Sequence, residues 1–145
     1  MPTSSRFAVA VHVLTLMASA GDEPLKSEFV ACSVNTNPVV IRRILCALAR
    51  ARLVTSQTGA AGGSRLARRA SRITLLDVYR AVEAREVFAL HRQPSESCPV
   101  GMNIQAELEH VLEDVEAAVE QVLANITIEK ILHNIRPASA ARRRR

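Results

Sequence analysis

A chain of 145 residues is long enough for one core. With 48% hydrophobic residues, 3% aromatics and no Trp, that core has to be built from Leu, Val, Ile and Ala. No apolar run approaches the roughly 20 residues that cross a bilayer, and His12 and Gly21-Asp22-Glu23-Pro24 interrupt the apolar N-terminus, so neither a membrane span nor an export signal is expected and a cytoplasmic setting is. Charge is segregated: residues 1–93 hold 13 Lys and Arg against 6 acids, residues 94–135 one Lys against 8 acids, and residues 136–145 five Arg. A basic front half suits contact with a polyanion, and an acidic back half does not.

Residues 4–20 read as a first helix, with Phe7, Val11, Leu14 and Ala18 on one face, flanked by Ala10 and Met17. Ser27 is expected to cap a short helix over 28–34, with Glu28 near its positive end. After the polar turn Asn35-Thr36-Asn37, Pro38 presets φ for a helix over 38–51. That helix should bury Val40, Ile41, Ile44, Leu45 and Leu48, with Cys46 as a small core residue and Arg42, Arg43 and Arg50 outside. Two helices joined by a short polar turn form a helix-turn-helix. Short strands near 52–57 and 65–69 flank the turn Gly59-Ala60-Ala61-Gly62-Gly63, and such a ribbon must pack on helices to be stable. A helix over 74–84, capped by Thr74, follows with Leu75, Leu76, Val78, Tyr79 and Val82. Helix, strand, glycine turn and basic strand are the outline of a winged helix, which offers duplex DNA both a helix and a hairpin.

Residues 86–101 look irregular, broken by Pro94, Ser95, Ser97 and Pro99. A long helix over 102–124 then carries Ile104, Leu108, Val111, Val115, Ala118 and Val122 at alternating spacings of four and three, a heptad seam. Leu112, Val119 and Ile126 add a second stripe, wider than a short domain can cover, so a partner helix is expected from a second copy. Thr127 should cap a last helix over 128–134. The fold class is mainly α with a small β-hairpin wing. Its parts are a winged helix-turn-helix over 1–85, a linker loop over 86–101, dimerisation helices over 102–135 and a disordered basic tail over 136–145.

These motifs resemble the bacterial Rrf-two-type winged-helix regulators, the group that includes IscR, NsrR and CymR. The resemblance rests on Asn37-Pro38-Val39-Val40-x-Arg42-Arg43, Leu53-Val54, Gly62-Gly63-x-x-Leu66-Ala67 and the stretch from Ile73 to Glu83. Phe88-Ala89-Leu90-His91 and Cys98-Pro99-Val100-Gly101 look like the YwnA-like branch. The resemblance covers nearly all of residues 5–135. It implies a cytoplasmic transcription regulator, more often a repressor, acting as a homodimer whose long helices cross and whose recognition helices enter the major groove of a pseudo-palindromic site. Three features depart from the pattern: Arg52 stands where relatives have Gly, the wing lacks an early Lys or Arg, and Arg142–Arg145 has no counterpart.

Thr36, Asn37, Val39, Arg42 and Arg43 begin the expected recognition helix, where side chains reach base edges. Arginine pairs bidentately with guanine and Asn with adenine. Adjacent arginines cannot both face the core, which favours contact by at least one; Asn37 fits base contact and simple helix capping equally. Arg65, nearest the wing turn, suits phosphate contact, whereas Arg68, Arg69 and Arg72 fit a solvated strand edge at least as well. Ile104, Leu108, Val111, Val115 and Val122 are the expected dimer contacts. Cluster-binding relatives carry several closely spaced cysteines before the long helix; this chain has only Cys98 there, so no intrinsic iron–sulfur cluster, metal site or other cofactor is expected. Cys98, before Pro99 at a helix start, reads as a regulatory thiol with Cys32 as its partner, or as an inert loop cysteine. No catalytic constellation is present: the glutamates of the long helix form its solvated face. The competing functions are a small-molecule-responsive winged-helix regulator of another family and a dimeric adaptor without DNA contact.

Overall fold

The computed structural model describes residues 4–83 and 87–142, with side chains described through Ile135. In chain order the elements are α1 (Arg6–Ala20), α2 (Ser27–Val34), α3 (Pro38–Arg50), β1 (Val54–Gln57), β2 (Gly63–Leu66), a 3-10 turn (Ala70–Arg72), α4 (Leu75–Val82), α5 (Pro99–Ala124) and α6 (Ile128–Arg142). This is the expected winged helix-turn-helix followed by a long helix.

Sequence chemistry accounts for most of the boundaries. Asn37 caps α3 by accepting the Val39 N–H at 2.8 Å, with Pro38 at the first helical position. Thr74 and Asp77 form a reciprocal capping box at α4, at 3.1 and 3.0 Å. Thr127 accepts the Lys130 N–H at 3.2 Å and starts α6. Ser27 does not cap α2: Lys26 occupies the cap position without a side-chain bond, because Leu25 pairs as a strand residue with Ser64 and holds the chain extended up to Lys26. The hairpin runs antiparallel in the register Val54↔Leu66 to Gln57↔Gly63. Gly63, at φ 152°, lets the Leu25 carbonyl approach to where a Cβ would sit only 2.7 Å away, so Leu25 can bridge to the wing at Ser64.

The core gathers Ala10, Val13, Leu14 and Met17 of α1, Val30 and Ala31 of α2, and Ile41, Ile44, Leu45 and Leu48 of α3. Leu53, Val54, Ile73, Leu75, Val78 and Val82 complete it from the wing and α4. The deepest face of α1 is turned from the expected one: Phe7, Val11 and Ala18 are only partly buried. The reason is that α1 is covered from several sides, by α2 and α3 and also by α4 and α6, so one amphipathic stripe does not describe it. On α3, Val40 and Cys46 are exposed, contrary to expectation. The buried set Ile41-Ile44-Leu45-Leu48 follows the i, i+3, i+4, i+7 rule, and Val40 and Cys46 lie off that stripe.

The back half differs more. α5 begins at Pro99, not near 102, because a proline is preset for the first turn. α6 is described to Arg142, where the sequence suggested a helix ending at 134 and a disordered tail; the alanine-rich stretch after Pro137 continues the helix. Arg143–Arg145, the rest of that predicted tail, and the domain boundary drawn at residue 85 lie outside the described residues. Ile128 of α6 is fully buried in the front core, its N–H donating to Ile73 C=O at 2.9 Å, while the Leu75 N–H donates to Ile126 C=O at 2.8 Å. Residues 102–135 are therefore not one uniform segment: α6 completes the core of the winged helix, and α5 contributes no buried residue at all.

Candidate nucleic-acid interface

The turn between α2 and α3 follows from hydrogen bonding at the end of α2. Asn35 adopts a left-handed conformation (φ 61°), its N–H reaching Cys32 C=O at 3.3 Å and that of Thr36 reaching Ala31 C=O at 3.0 Å. This double closure is the usual way to stop a helix and reverse the chain, and Asn is among the residues that tolerate it. It delivers Asn37 as the cap of α3, with Thr36 half-buried behind it. The outward face of α3 then carries Val39, Val40, Arg42 and Arg43, all exposed. Both predicted arginines point to solvent, consistent with the stripe opposite Ile41 and Ile44.

Two side-chain bridges connect this face to the wing. Arg42 Nη2 donates to Glu28 Oε1 at 3.2 Å, joining the start of α2 to the first turns of α3. Lys26 Nζ donates to the Gly59 carbonyl at 3.5 Å, joining the start of α2 to the wing turn. Arg65 is exposed on β2, opposite Thr55, next to the inward-facing Ser64. Lys26 is the cation that sequence reading missed; its position under the wing depends on the Leu25–Ser64 pairing, which no local pattern announces. Glu28 sits in the first turn of α2, and its carboxyl is held below the ordinary 4.5 by its own backbone N–H first, and then by Arg42 and Lys26. Thus Arg42 and the wing are tied into one surface through α2, while Arg43 and Arg65 make no ion pair among the described residues.

The other basic residues divide. Arg68 is engaged internally, donating to Ala51 C=O at 3.3 Å and lying 3.9 Å from Asp77, so it braces the base of the wing against α4. Arg69 and Arg72 are exposed around the 3-10 turn.

On α5, Ile104, Leu108 and Val115 are partly covered, while Val111 is 53% and Val122 is 60% exposed. Val115, Ala118, Val119, Val122 and Leu123 line one continuous apolar groove. The helix is attached to the front unit through its C-terminal half, where Leu123 packs on the core and Glu120 meets Arg80 at 3.3 Å, and Ile126 just beyond its end packs there too.

Cys32, Cys46 and Cys98 are all free thiols on the surface. Cys98 occupies the cap position of α5, where the N–H groups of Gly101 and Val100 lower its thiol below the ordinary 9.0. Gly101 is needed there: any Cβ would collide with the Ser95 carbonyl, so the loop can fold over the first turn only beside a glycine.

A profile of the Rrf2 family, described as "Iron-dependent Transcriptional regulator", matches residues 3–134. The chain is also 43% identical over 133 residues to YwnA of Bacillus subtilis (strain 168), which carries the name of an HTH-type transcriptional regulator; the match spans 91% of this chain and 98% of that protein. The chain belongs to the Rrf2 family. A crystal structure described as that of a DNA-binding protein is 40% identical, with a TM-score of 0.71, covering 88% of this chain and 99% of the other. T. potens IscR shares the fold at 24% identity, with a TM-score of 0.72 over 95% and 90% of the two chains. Membership sets aside a winged-helix family of another kind. The family description names iron. Among the described residues no group of three or more His, Cys, Asp or Glu could hold a metal, and Cys98 stands alone in its loop, short of the usual ligand set of an iron–sulfur cluster. Among the described residues no helix is long and apolar enough to cross a membrane.

Proposed function

We propose that this chain is a cytoplasmic DNA-binding transcription regulator, a repressor in its simplest mode, that acts as a homodimer on a pseudo-palindromic operator and performs no catalysis. The observation carrying this reading is the exposed α3 face with Arg42 and Arg43, joined through Glu28 and Lys26 to the wing that bears Arg65. In this reading Asn37, Val39, Arg42 and Arg43 approach base edges, with Thr36 behind them at the turn, and Arg65 neutralises a phosphate. The homodimer reading rests on α5: its apolar seam of Ile104, Leu108, Val111, Val115 and Val122 is only partly covered among the described residues, with Val111 and Val122 more than half exposed. Two recognition helices then meet half-sites about one helical turn apart.

Purified protein mixed with duplexes selected from a randomised library should yield one symmetric consensus. Arg42→Ala and Arg43→Ala should weaken binding to that consensus more than to a scrambled duplex. Arg65→Ala should weaken both alike and reduce the salt slope by about one unit. Equal losses on both duplexes for all three variants would leave only non-specific binding.

The signal in this reading is an oxidant. Cys98 is an exposed thiol with raised thiolate character, and Cys32 is exposed at the end of α2 beside the helix-turn-helix turn. Peroxide would accept two electrons and the two thiol protons from this pair, leaving a Cys98–Cys32 disulfide between protomers and two molecules of water. That bond would fix the spacing of the recognition helices. Non-reducing gels after mild peroxide treatment should show a covalent dimer that disappears in Cys98→Ser. An unchanged response in that variant returns Cys98 to the inert class.

A further inference from the structure

Glu28 is an acid in a place where an acid is a burden. It lies on the same exposed surface as Arg42, 3.2 Å from it, at the start of a helix whose neighbouring cation, Lys26, supports the wing. If that surface meets DNA, a carboxylate there repels phosphates and cancels one of the positive charges. Its effect on stability offers no compensation of comparable weight, because an ion pair whose partners are 56% and 68% exposed contributes little to folding. Besides its favourable place at the positive end of α2, what Glu28 does on this surface is hold Arg42.

An arginine in solution samples many rotamers, and fixing one on binding costs affinity. Arg42 is held before DNA arrives: one Nη2 hydrogen is given to Glu28, while the remaining guanidinium donors stay available. A planar group with five donors can spend one on a carboxylate and still offer a fork to the O6 and N7 of guanine. The anchor is itself well fixed. Glu28 stands in the first turn of α2, its carboxylate favoured by the backbone N–H there, and α2 packs through Val30 and Ala31 into the core.

We infer that Glu28 is a positioning residue for sequence recognition: it orients the Arg42 guanidinium toward a base edge and at the same time lowers affinity for DNA of the wrong sequence. Only the first effect changes the ratio: orientation rewards the correct base, whereas repulsion penalises every phosphate on either sequence. Glu28 therefore raises the ratio of specific to non-specific binding, not affinity as such. This inference rests on the reading of Arg42 as a base-contacting residue.

The test compares wild type, Glu28→Gln, Arg42→Ala and the double variant on two duplexes, the consensus selected from a randomised library and a scramble of the same composition. Glutamine keeps the size of Glu28 and removes its charge. Glu28→Gln should bind the scrambled duplex more tightly, with a salt slope steeper by up to about one unit. Its consensus-to-scramble ratio should fall by about three- to ten-fold. In the double variant Glu28→Gln should add no further loss of that ratio beyond Arg42→Ala. A merely repulsive surface charge would raise both affinities together and leave the ratio alone, which overturns the inference. If Arg42→Ala itself leaves the ratio unchanged, the base-contact reading of Arg42 fails and the role of Glu28 fails with it. A loss in Arg42→Ala without one in Glu28→Gln sinks the role of Glu28 alone. Melting curves of the four proteins should be superimposable, because none of these changes reaches the core.

Discussion

Helices α3 and α5 are both amphipathic and both open with a proline, yet their apolar residues meet opposite fates. α3, with 13 residues, buries Ile41, Ile44, Leu45 and Leu48. α5 has twice that length, 26 residues, and buries none. The apolar stripe of α3 is matched by surfaces within the same chain, chiefly α2 and α4, whereas that of α5 is only partly covered among the described residues, with Val111 and Val122 more than half exposed. A hydrophobic pattern therefore states how much surface is to be hidden, not by which molecule.

The comparison is broken most sharply by charging the α5 seam. Leu108→Glu with Val115→Glu should convert a dimer into monomers at micromolar concentration, read by sedimentation, while the far-ultraviolet spectrum and cooperative melting of the front unit persist. Losing simultaneous engagement of two half-sites should lower operator affinity by about 10²–10⁴-fold. A wild-type protein that already sediments as a monomer would refute the assembly role of α5.

The converse change is Leu14→Ala, at a fully buried site of α1. Removing that side chain should cost about 2–5 kcal/mol of unfolding free energy in urea. Sedimentation of the folded fraction should be unchanged, since Leu14 is far from the seam in packing terms. A loss below about 1 kcal/mol, smaller than core truncations give, would mean that α1 is less central than its burial implies.

The local signals of this fold were strong in the sequence. The Pro38 helix start, the Thr74 cap with Asp77 and the glycine turn of the wing all depend on neighbours within a few residues, and all are present as expected. Val40 and Cys46 were misassigned because they lie off the stripe that Ile41, Ile44, Leu45 and Leu48 form, and the deepest face of α1 because it depended on which remote elements covered it. α6 shows the same limit. Nothing near Ile128 announces that it completes a core built more than fifty positions earlier, by pairing with Ile73. For the candidate site, the residues on α3 were legible, since helix periodicity dictates which ones point outward. The bridges from Lys26 and Glu28 were not, because they arise from the extended pairing of Leu25 with Ser64 and from the placement of α2 across α3.

Cys98 sharpens the contrast at the start of α5, where two backbone N–H groups favour its thiolate. In a Cys32→Ser, Cys46→Ser background, the pH profile of iodoacetamide alkylation should have its midpoint below 9.0 in the folded protein and move upward in urea. The sign follows from the lowered folded value: the thiolate form is favoured by folding, so this small contribution to stability is present at high pH and disappears as pH falls through the folded value. Identical profiles with and without urea would mean that the helix start does not act on the thiol.

The smallest effect concerns how α3 is brought to an end so that the wing can begin. Arg52 sits at φ 60°, the left-handed region, with its N–H on Ala49 C=O at 3.0 Å and the next N–H, of Leu53, on Leu48 C=O at 2.9 Å. Those two bonds, with Leu48 and Leu53 both buried, are the closure that a glycine normally provides after a helix. The backbone keeps the glycine geometry although the residue is arginine, so the strain of a Cβ in that region is retained. Replacing Arg52 by Gly removes that strain, of about 1–2 kcal/mol, and gives back part of it through greater freedom of the unfolded chain. The net expectation is a gain of about 0.5–1 kcal/mol and a rise in Tm of about 2–4 °C. Arg52→Ala keeps the Cβ and should show no such rise. If alanine stabilised as much as glycine, the gain would belong to the loss of charge among the surrounding arginines and not to the backbone.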